Sequence, residues 1–185
     1  MLRRLALLGA LLGCSGNSSG SATVLGSVGG QVFSEVDAMA GTRTSGTDTF
    51  ADIVLADRAG LCEAASRYWL RKSLHAVRID LYQSTAEGDR APSAPGTYNV
   101  VTIGGPVYAR RAYVEARTTD ENCAAVASQS AKATSGTVTL TKASNGSYAG
   151  TFDVTLESGD RLTGSFEAPD CPAIGGTTDG PYACG

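Results

Sequence analysis

The feature that most restricts the fold is a stretch of alternating apolar and polar residues near the C-terminus, "SGTVTLTKASNGSYAGTFDVTLESGDRLTGSFEA" (135–168). A period of two is typical of strands that bury one face, and the Asn-Gly and Ser-Gly-Asp sequences are typical of tight turns. The stretch therefore predicts a three-stranded antiparallel meander. Its buried face carries Val138 and Leu140; then Phe152, Val154 and Leu156; then Leu162 and Phe166.

The first turn of this meander is restricted by parity, because residues that pair across two strands must share a face. A two-residue Asn145-Gly146 turn would place Thr139 opposite Phe152 and would mix the faces. A three-residue loop, 144–146, places Val138 opposite Phe152, and its glycine supplies the left-handed conformation that such a loop needs. We therefore predict the three-residue loop.

The second turn of the meander is restricted by the same parity rule. A three-residue loop over 158–160 keeps the apolar residues of both strands on one face. It predicts three cross-strand pairs: Leu156 with Leu162, Phe152 with Phe166, and Glu157 with Arg161 on the outer face.

The rest of the chain predicts further strands and a single short helix. Asp57 is the predicted N-cap of that helix, which lies within 57–73 and spans one or two turns because Gly60 weakens it. Strands are predicted at 30–38, 50–57, 73–84, 97–103 and 107–117, with loops at 39–49 and 84–96. In the strand at 73–84 the alternation places Val77, Ile79 and Leu81 on the buried face and Arg78 and Asp80 on the outer face. The predicted fold is mainly β, an antiparallel β-sandwich or partly open barrel with one short helix.

The N-terminus has the pattern of an export signal. Arg3 and Arg4 precede the apolar run Leu5 to Leu12, which is too short to cross a membrane as a helix. The sequence Leu11-Leu12-Gly13-Cys14 then resembles the lipobox of bacterial lipoproteins. That resemblance implies cleavage before Cys14 and acylation of Cys14, with several acyl chains forming a lasting membrane anchor.

The same resemblance sets the predicted localisation and domain boundaries. Ser15 follows the cysteine where lipoproteins retained in the inner membrane usually carry Asp, which favours the outer membrane of a bacterial cell envelope. We predict a signal peptide at 1–13, an acylated N-terminus and flexible tether at 14–27, and a single β-rich domain at 28–185. The meander is similar to the C-terminal halves of uncharacterised β-rich envelope lipoproteins, a likeness that implies no activity.

Four cysteines remain once Cys14 is assigned to lipid. An even number of cysteines in an exported chain predicts disulfides, and four cysteines allow three pairings. The Pro- and Gly-rich tail "CPAIGGTTDGPYACG" has few other means of staying in place, and closing it would contribute about 3 kcal/mol. We therefore favour Cys171–Cys184 together with Cys62–Cys123.

Composition limits the partners that the chain can have. Removal of Arg3 and Arg4 with the signal leaves 13 of the 15 basic residues against 18 acidic ones. A mildly acidic chain without a basic run argues against nucleic acid as a partner. The predicted partners are the membrane, through the lipid anchor, and an envelope protein or glycan.

Residues suited to catalysis are few. The sequence contains none of the common hydrolase, metalloprotease or phosphate-binding motifs, and no cofactor or metal site is predicted. His75 is the only histidine and alternates onto the face of Val77, so we interpret it as a half-buried strand residue.

Two functional hypotheses remain. In the first, the protein is a non-catalytic binding or structural module, and its outer sheet face of Asp153, Thr155, Thr163, Ser165 and Glu167 is solvated or binds weakly. In the second, it is a hydrolase of an envelope glycan. Asp153 and Glu167 would then be diagonal neighbours about 7–8 Å apart, within the range of inverting glycosidases.

Overall fold

A computed structural model describes residues 19–67, 69–175 and 183–184 of the chain. The signal segment 1–13 and Cys14 lie outside the described residues, so the lipobox stays a prediction. The elements are β1 (Ser21–Val28), β2 (Gln31–Val32), β3 (Asp37–Ser45), β4 (Asp48–Ala56), α1 (Leu61–Ser66), β5 (Trp69–Leu70), β6 (His75–Thr85), β7 (Gly88–Arg90), β8 (Gly96–Val100), β9 (Arg110–Thr118), β10 (Ala131–Ser144), β11 (Ser147–Leu156), β12 (Arg161–Ala168) and β13 (Ala183–Cys184).

One large curled sheet forms a half-barrel, in the order β2-β1-β12-β11-β10-β8-β9-β6-β4-β3, with β7 added beside β6. The segment after β12 joins the two ends of the curl, because Ala40 donates a hydrogen bond to Pro169 O and accepts one from Cys171 N. All pairs in this sheet are antiparallel except β8–β9. The prediction of a mainly β fold with one short helix is confirmed, in its partly open barrel form. Within the described residues no helix is long and apolar enough to span a membrane.

The concave face of the curled sheet is the hydrophobic core. Val77, Ile79 and Leu81 of β6 are fully buried, as the alternation in this strand predicts. The predicted apolar face of the meander is buried as well, which confirms the period-two interpretation. That face comprises Val138, Leu140, Phe152, Val154, Leu156, Leu162 and Phe166.

The sheet begins earlier in the chain than predicted. Ser21–Val28 forms β1, which pairs with β12 from Ser21 to Gly26, although residues up to 27 were assigned to the tether. The predicted loop at 39–49 is also wrong, because it contains most of β3 and a tight turn into β4. The small and polar residues of both segments are compatible with strands because each strand has a paired neighbour, an effect that alternation alone does not show.

The first turn of the meander differs from the prediction in loop length, although the predicted pairing of the strands is kept. Asn145 and Gly146 form a two-residue turn with positive φ angles of 49° and 77°, the conformation of a type I′ hairpin. Val138 nevertheless lies opposite Phe152, as predicted, because Thr141 is the extra residue of a β-bulge that restores the parity.

The second turn shifts the register by two residues. The loop occupies 157–159 rather than 158–160, since Leu156 N donates to Asp160 O across the base of the turn. Phe152 therefore lies opposite Gly164, and a Cβ at that glycine would approach the Phe152 ring to 2.7 Å. The three predicted pairs (Leu156 with Leu162, Phe152 with Phe166, Glu157 with Arg161) are wrong, although the apolar residues keep their shared face.

The helix α1 is capped by a residue distant in sequence. The predicted cap, Asp57, instead contacts His75, with 2.8 Å between Asp57 Oδ2 and His75 Nδ1. Asp37 Oδ2 accepts hydrogen bonds from the N–H groups of Gly60 and Leu61, at 2.8 and 3.1 Å. The helix thus begins where β3 supplies an acceptor for its first unpaired N–H groups.

The disulfide pairing differs from the one favoured from the sequence. The bonds are Cys62–Cys171 and Cys123–Cys184, with Cα–Cα distances of 5.6 and 5.8 Å. The backbone of Cys171 is bonded to β3 beside α1, so Cys62 is its neighbour and a local Cys171–Cys184 loop is not formed. The two bonds span 109 and 61 residues and fix the C-terminal segment across the fold.

Candidate binding pocket

A split in the sheet creates a pocket. Strand β9 pairs with β8 up to Ala112 and pairs with β10 only from Glu115 onward. Between these contacts Tyr113 and Val114 face a gap, and on the β10 side the gap is bordered by Thr134, the extra residue of a second β-bulge. The chain leaves β8 at this gap and continues as the loop 101–109 along its rim.

The resulting cavity is about 560 Å³ in volume, within the range of small-molecule binding sites. It extends over the convex, polar face of the sheet, across β6, β9 and β10. Its lining combines ionic, aromatic and aliphatic side chains: Arg78, Asp80, Tyr82, Val101, Thr102, Ile103, Arg111, Tyr113, Val114, Glu115, Lys132, Ala133, Thr134 and Glu157.

An ion-pair network forms one end of the pocket. Asp52 is buried with 3% exposure and directly opposes Asp80 across β4 and β6. Arg78 donates two hydrogen bonds to Asp52, at 3.0 and 3.1 Å, and Arg43 donates a third at 3.2 Å. The charge of Asp52 is therefore fully compensated from two sides, as a buried carboxylate requires.

The charge of Asp80 is compensated less completely than that of Asp52. Asp80 Oδ1 lies 3.2 Å from Arg78 Nε, but this buried oxygen has no hydrogen-bond partner among the described residues. Burial raises the pKa of Asp80 to about 7; the Arg78 charge opposes this rise, and the adjacent Asp52 adds to it. Asp80 thus contributes to the pocket an oxygen that can carry a proton near neutral pH.

Stacked aromatic rings and an arginine form the opposite end. Tyr82 stacks on Phe50 at 4.9 Å between centroids and meets the edge of Tyr113 at 5.6 Å. The Arg111 guanidinium lies 5.1 Å from the Tyr82 ring centroid and pairs with Asp89. These contacts fix the rings in place before any ligand arrives, which reduces the entropy that binding must remove.

The wall on β10 supplies a cation that is free of ion pairs. The Lys132 backbone is bonded to Glu157 in both directions, with Lys132 N donating to Glu157 Oε1 at 3.2 Å and Glu157 N to Lys132 O at 2.8 Å. The Lys132 ammonium itself makes no salt bridge with any part of the chain that the structure describes. It is available to donate hydrogen bonds into the cavity.

The rim loop exposes apolar side chains. Ile103 is 84% exposed and Val107 is 85% exposed, and a turn closed by Gly105 N donating to Thr102 O at 3.0 Å presents Ile103 beside the cavity. An exposed aliphatic side chain at the mouth of a polar cavity adds an apolar contact for a ligand. Single exposed apolar residues are otherwise common on protein surfaces.

The carboxylates considered from the sequence do not form a pair. In the actual register Glu167 lies opposite Ala149, four residues along β11 from Asp153, or about 13 Å at the rise of a strand. Asp153 is bonded to Arg161, with 2.7 Å from Nε to Oδ1, and this contact lowers the pKa of Asp153. The diagonal-neighbour expectation is therefore wrong, and the spacing exceeds that of either glycosidase geometry.

His75 lies half-buried at the start of β6, as predicted, and away from the pocket. Its ring packs 5.6 Å from that of Phe33, and its Nδ1 is held by Asp57. Thr118, its cross-strand neighbour, has a buried hydroxyl without a hydrogen-bond partner in the described structure. Across the described residues no group of three or more His, Cys, Asp or Glu side chains is arranged to hold a metal ion.

The sequence reasoning missed the pocket as a site, although it placed some of its residues correctly. Arg78 and Asp80 were assigned to the outer face of a strand, where they lie. The informative signal is charge on the outer face of two adjacent strands, in "RIDLY" (78–82) and "RRAYVEAR" (110–117). Their neighbourhood becomes visible only when the β6–β9 pairing is known.

Comparison with known proteins gives no relatives. The chain matches no protein-family model, and no curated protein or solved structure is significantly similar to it.

Proposed function

We propose that this chain is a lipid-anchored lipoprotein of a bacterial cell envelope, and that its domain is a non-catalytic module that binds an envelope ligand in the β6/β9/β10 pocket. The anchor rests on the lipobox-like sequence ending in Cys14. The outer membrane is the proposed location, by the residue that follows that cysteine.

The observation that carries the binding role is the pocket itself: a cavity of about 560 Å³ whose aromatic and ionic side chains are already held in place. Its arginines are engaged by carboxylates, with Arg78 on Asp52 and Arg111 on Asp89. Groups fixed in this way are suited to recognition. Acid–base catalysis would instead require a pair of groups with complementary roles on either side of a reacting atom.

The anchor is tested by replacing Cys14 with Ala. The variant should leave the membrane fraction and lose the mass added by the acyl chains, whereas Gly13→Ala, which keeps a small residue before the cysteine, should remain anchored. Sedimentation of Cys14→Ala with membranes and an unchanged mass increment would contradict the proposal.

The binding role is tested with envelope fragments from which lipid has been removed by detergent. The purified full-length protein should sediment with these fragments, and Lys132→Ala, which removes the ammonium group from the pocket, should sediment less. Lys142→Ala is the matched control, since Lys142 is also exposed on β10 but lies outside the pocket. Equal sedimentation of both variants, or release of soluble fragments by the wild type, would count against a binding module that uses this pocket.

A further inference from the structure

We propose that the β6/β9/β10 pocket takes an uncharged, hydroxyl-rich ligand, a segment of a neutral saccharide, with Asp80, Lys132 and Tyr113 as its recognition residues. This inference rests on the proposed binding function and names the class of its ligand.

The charges that line the pocket balance one another. When Asp80 is ionised, three side chains are cationic and three are acidic: Arg78, Arg111 and Lys132; Asp80, Glu115 and Glu157. Most of them already have a partner within the protein, including Glu115, which lies 3.6 Å from Arg117. A site for an anion or a cation needs an excess of the opposite charge, and this pocket has none. Its lining offers donors and acceptors side by side, which suits hydroxyl groups because each hydroxyl both donates and accepts.

Asp80 is the residue of the pocket whose hydrogen bonding within the described chain is incomplete. Asp80 lines the pocket, and its Oδ1, which lies 3.2 Å from Arg78 Nε, accepts no hydrogen bond from the described chain. Unpaired buried polar atoms are rare in native proteins because each costs about 1–3 kcal/mol. A ligand hydroxyl would donate to this carboxyl when Asp80 is ionised and accept from it when Asp80 is protonated, and a pKa of about 7 makes both forms available near neutral pH.

The charged and titratable groups around Asp80 come from every neighbouring strand. Asp52 faces it from β4 and Arg43 approaches from β3. Across the cavity lie Lys132 and Glu157. On its own strand and on β9 the surrounding groups are Arg78, Tyr82, Tyr113 and Glu115.

Apolar contacts complete the match to a saccharide. Sugar rings have a C–H face as well as hydroxyl groups, and they pack against aromatic and aliphatic side chains. Tyr113 is half-buried with its ring fixed by the edge contact to Tyr82, and Ile103 projects beside the same cavity. The pocket therefore offers both kinds of surface that such a ligand presents.

A peptide fits this site less well. Extended peptides usually bind by adding a strand to a free sheet edge, where the backbone is unpaired. Here the ligand would lie on the face of β6, which is paired to β4 and to β9 along the pocket. Among the described strands of the pocket, the backbone that lacks a neighbour is confined to the short gap between Tyr113–Val114 of β9 and residues 133–136 of β10, which is too short for strand addition.

The ligand class is tested by treating the lipid-stripped envelope fragments before the full-length protein is added. Periodate cleaves the vicinal diols of sugars, so oxidation followed by borohydride reduction and washing should abolish sedimentation of the protein. Protease digestion of the fragments should leave it unchanged. Raising NaCl to 0.5 M should also leave it unchanged, since salt screens attraction between charges but not hydrogen bonding to a neutral ligand.

The role of Asp80 is tested by two substitutions and by pH. Asp80→Asn keeps a donor and should bind as the wild type does at pH 5.5, whereas Asp80→Ala should bind at least tenfold more weakly. Wild-type binding should persist between pH 5.5 and 8.5, because a ligand hydroxyl accepts a hydrogen bond from the protonated carboxyl and donates one to the ionised carboxylate. Lys132→Ala, on an exposed side chain, should weaken binding even if Asp80→Ala fails to fold.

Several results would overturn the inference. Loss of binding after protease digestion would identify a peptide ligand, and loss in salt would identify a charged one; in both cases the proposed binding function would stand. Binding that resists periodate would reject the saccharide class. If the untreated fragments do not bind the wild type at all, the proposed function fails as well.

Discussion

Ionisation of the buried Glu35 lowers the free energy of unfolding, and one isosteric substitution can remove this cost. The residue lies between β2 and β3 with 4% of its surface exposed, and neither carboxylate oxygen has a hydrogen-bond partner among the described residues. Burial raises the pKa of Glu35 from 4.5 to about 7; the backbone N–H of the same residue opposes this rise, and the nearby charge of Asp57 adds to it.

The sign and size of the effect follow from this pKa. Between pH 4.5 and about 7 the unfolded chain has lost the Glu35 proton while the folded chain keeps it. The free energy of unfolding therefore falls as pH rises through this window. At 1.36 kcal/mol per pKa unit, the full penalty above pH 7 is about 3 kcal/mol. Glu35→Gln keeps the shape of the protonated carboxyl and removes the penalty.

The measurement is urea denaturation of the wild type and of Glu35→Gln at pH 4 and pH 8, with both disulfides intact. At pH 8 the variant should be more stable by about 2–3 kcal/mol, and at pH 4 the two proteins should be within about 0.5 kcal/mol of each other. Glu121→Gln, at an exposed position, is the matched control and should change neither value. Asp80 has a raised pKa too, but it is present in all three proteins and its contribution cancels.

The reasoning is refuted if Glu35→Gln is no more stable than the wild type at pH 8. It is also refuted if the stability difference between the two proteins is the same at both pH values, because a change in packing would act equally at each.

Two further predictions concern the disulfides and the turns. Non-reducing peptide mapping should link Cys62 to Cys171, and the double variant Cys62→Ser/Cys171→Ser should lose about 3–5 kcal/mol of unfolding free energy, as expected for a closed loop of about 100 residues; a peptide linking Cys171 to any other cysteine would contradict the pairing. Gly146→Ala should destabilise the protein more than Gly159→Ala in the same assay, because both glycines have positive φ but only at Gly146 would a new Cβ collide, at 2.1 Å from Asp170 Oδ1. Equal losses would show that the turn relaxes.

The sequence predicts well which face of a strand is buried, but it predicts poorly which distant segments of the chain pair with each other. Period-two alternation identified the buried residues of β6 and of the meander, because burial on one face needs only local information. The strand β1 and the disulfide pairing were missed for the opposite reason. Both depend on a partner more than 100 residues away: β12 for Ser21–Val28, and α1 for Cys171.

The pocket could not be predicted because it depends on how separate strands meet. Its side chains come from β6, β9, β10 and the loop after β8, and no continuous segment contains them. Charged outer positions such as Arg78 and Glu115 read as ordinary solvent-facing residues when each strand is considered alone. Only the pairing Arg78–Glu115 across β6 and β9 indicates that they belong to one surface.

The two bulges of β10 connect the failure of register prediction with the origin of the pocket. Thr141 adds one residue next to the Asn145-Gly146 turn and thereby keeps Val138 opposite Phe152. Thr134 adds a second residue between Ala133 and Ser135, at the point where β9 stops pairing with β8 and begins to pair with β10. Each bulge threonine donates its hydroxyl to a β11 carbonyl, at 3.2 Å for Thr141 and 3.3 Å for Thr134.

Prediction of register from the apolar pattern assumes a regular ladder of paired residues. A bulge adds one residue to one strand and shifts the register by one, and the alternation of apolar residues does not reveal it. The irregularity at Thr134 lies at the border of the gap in front of Tyr113 and Val114. The gap itself lies where β8 enters between β9 and β10, because β10 pairs with β9 up to Lys132 and with β8 from Thr137 onward. The cavity therefore depends on the divergence of three strands, and the bulge at Thr134 lies at the point where they diverge.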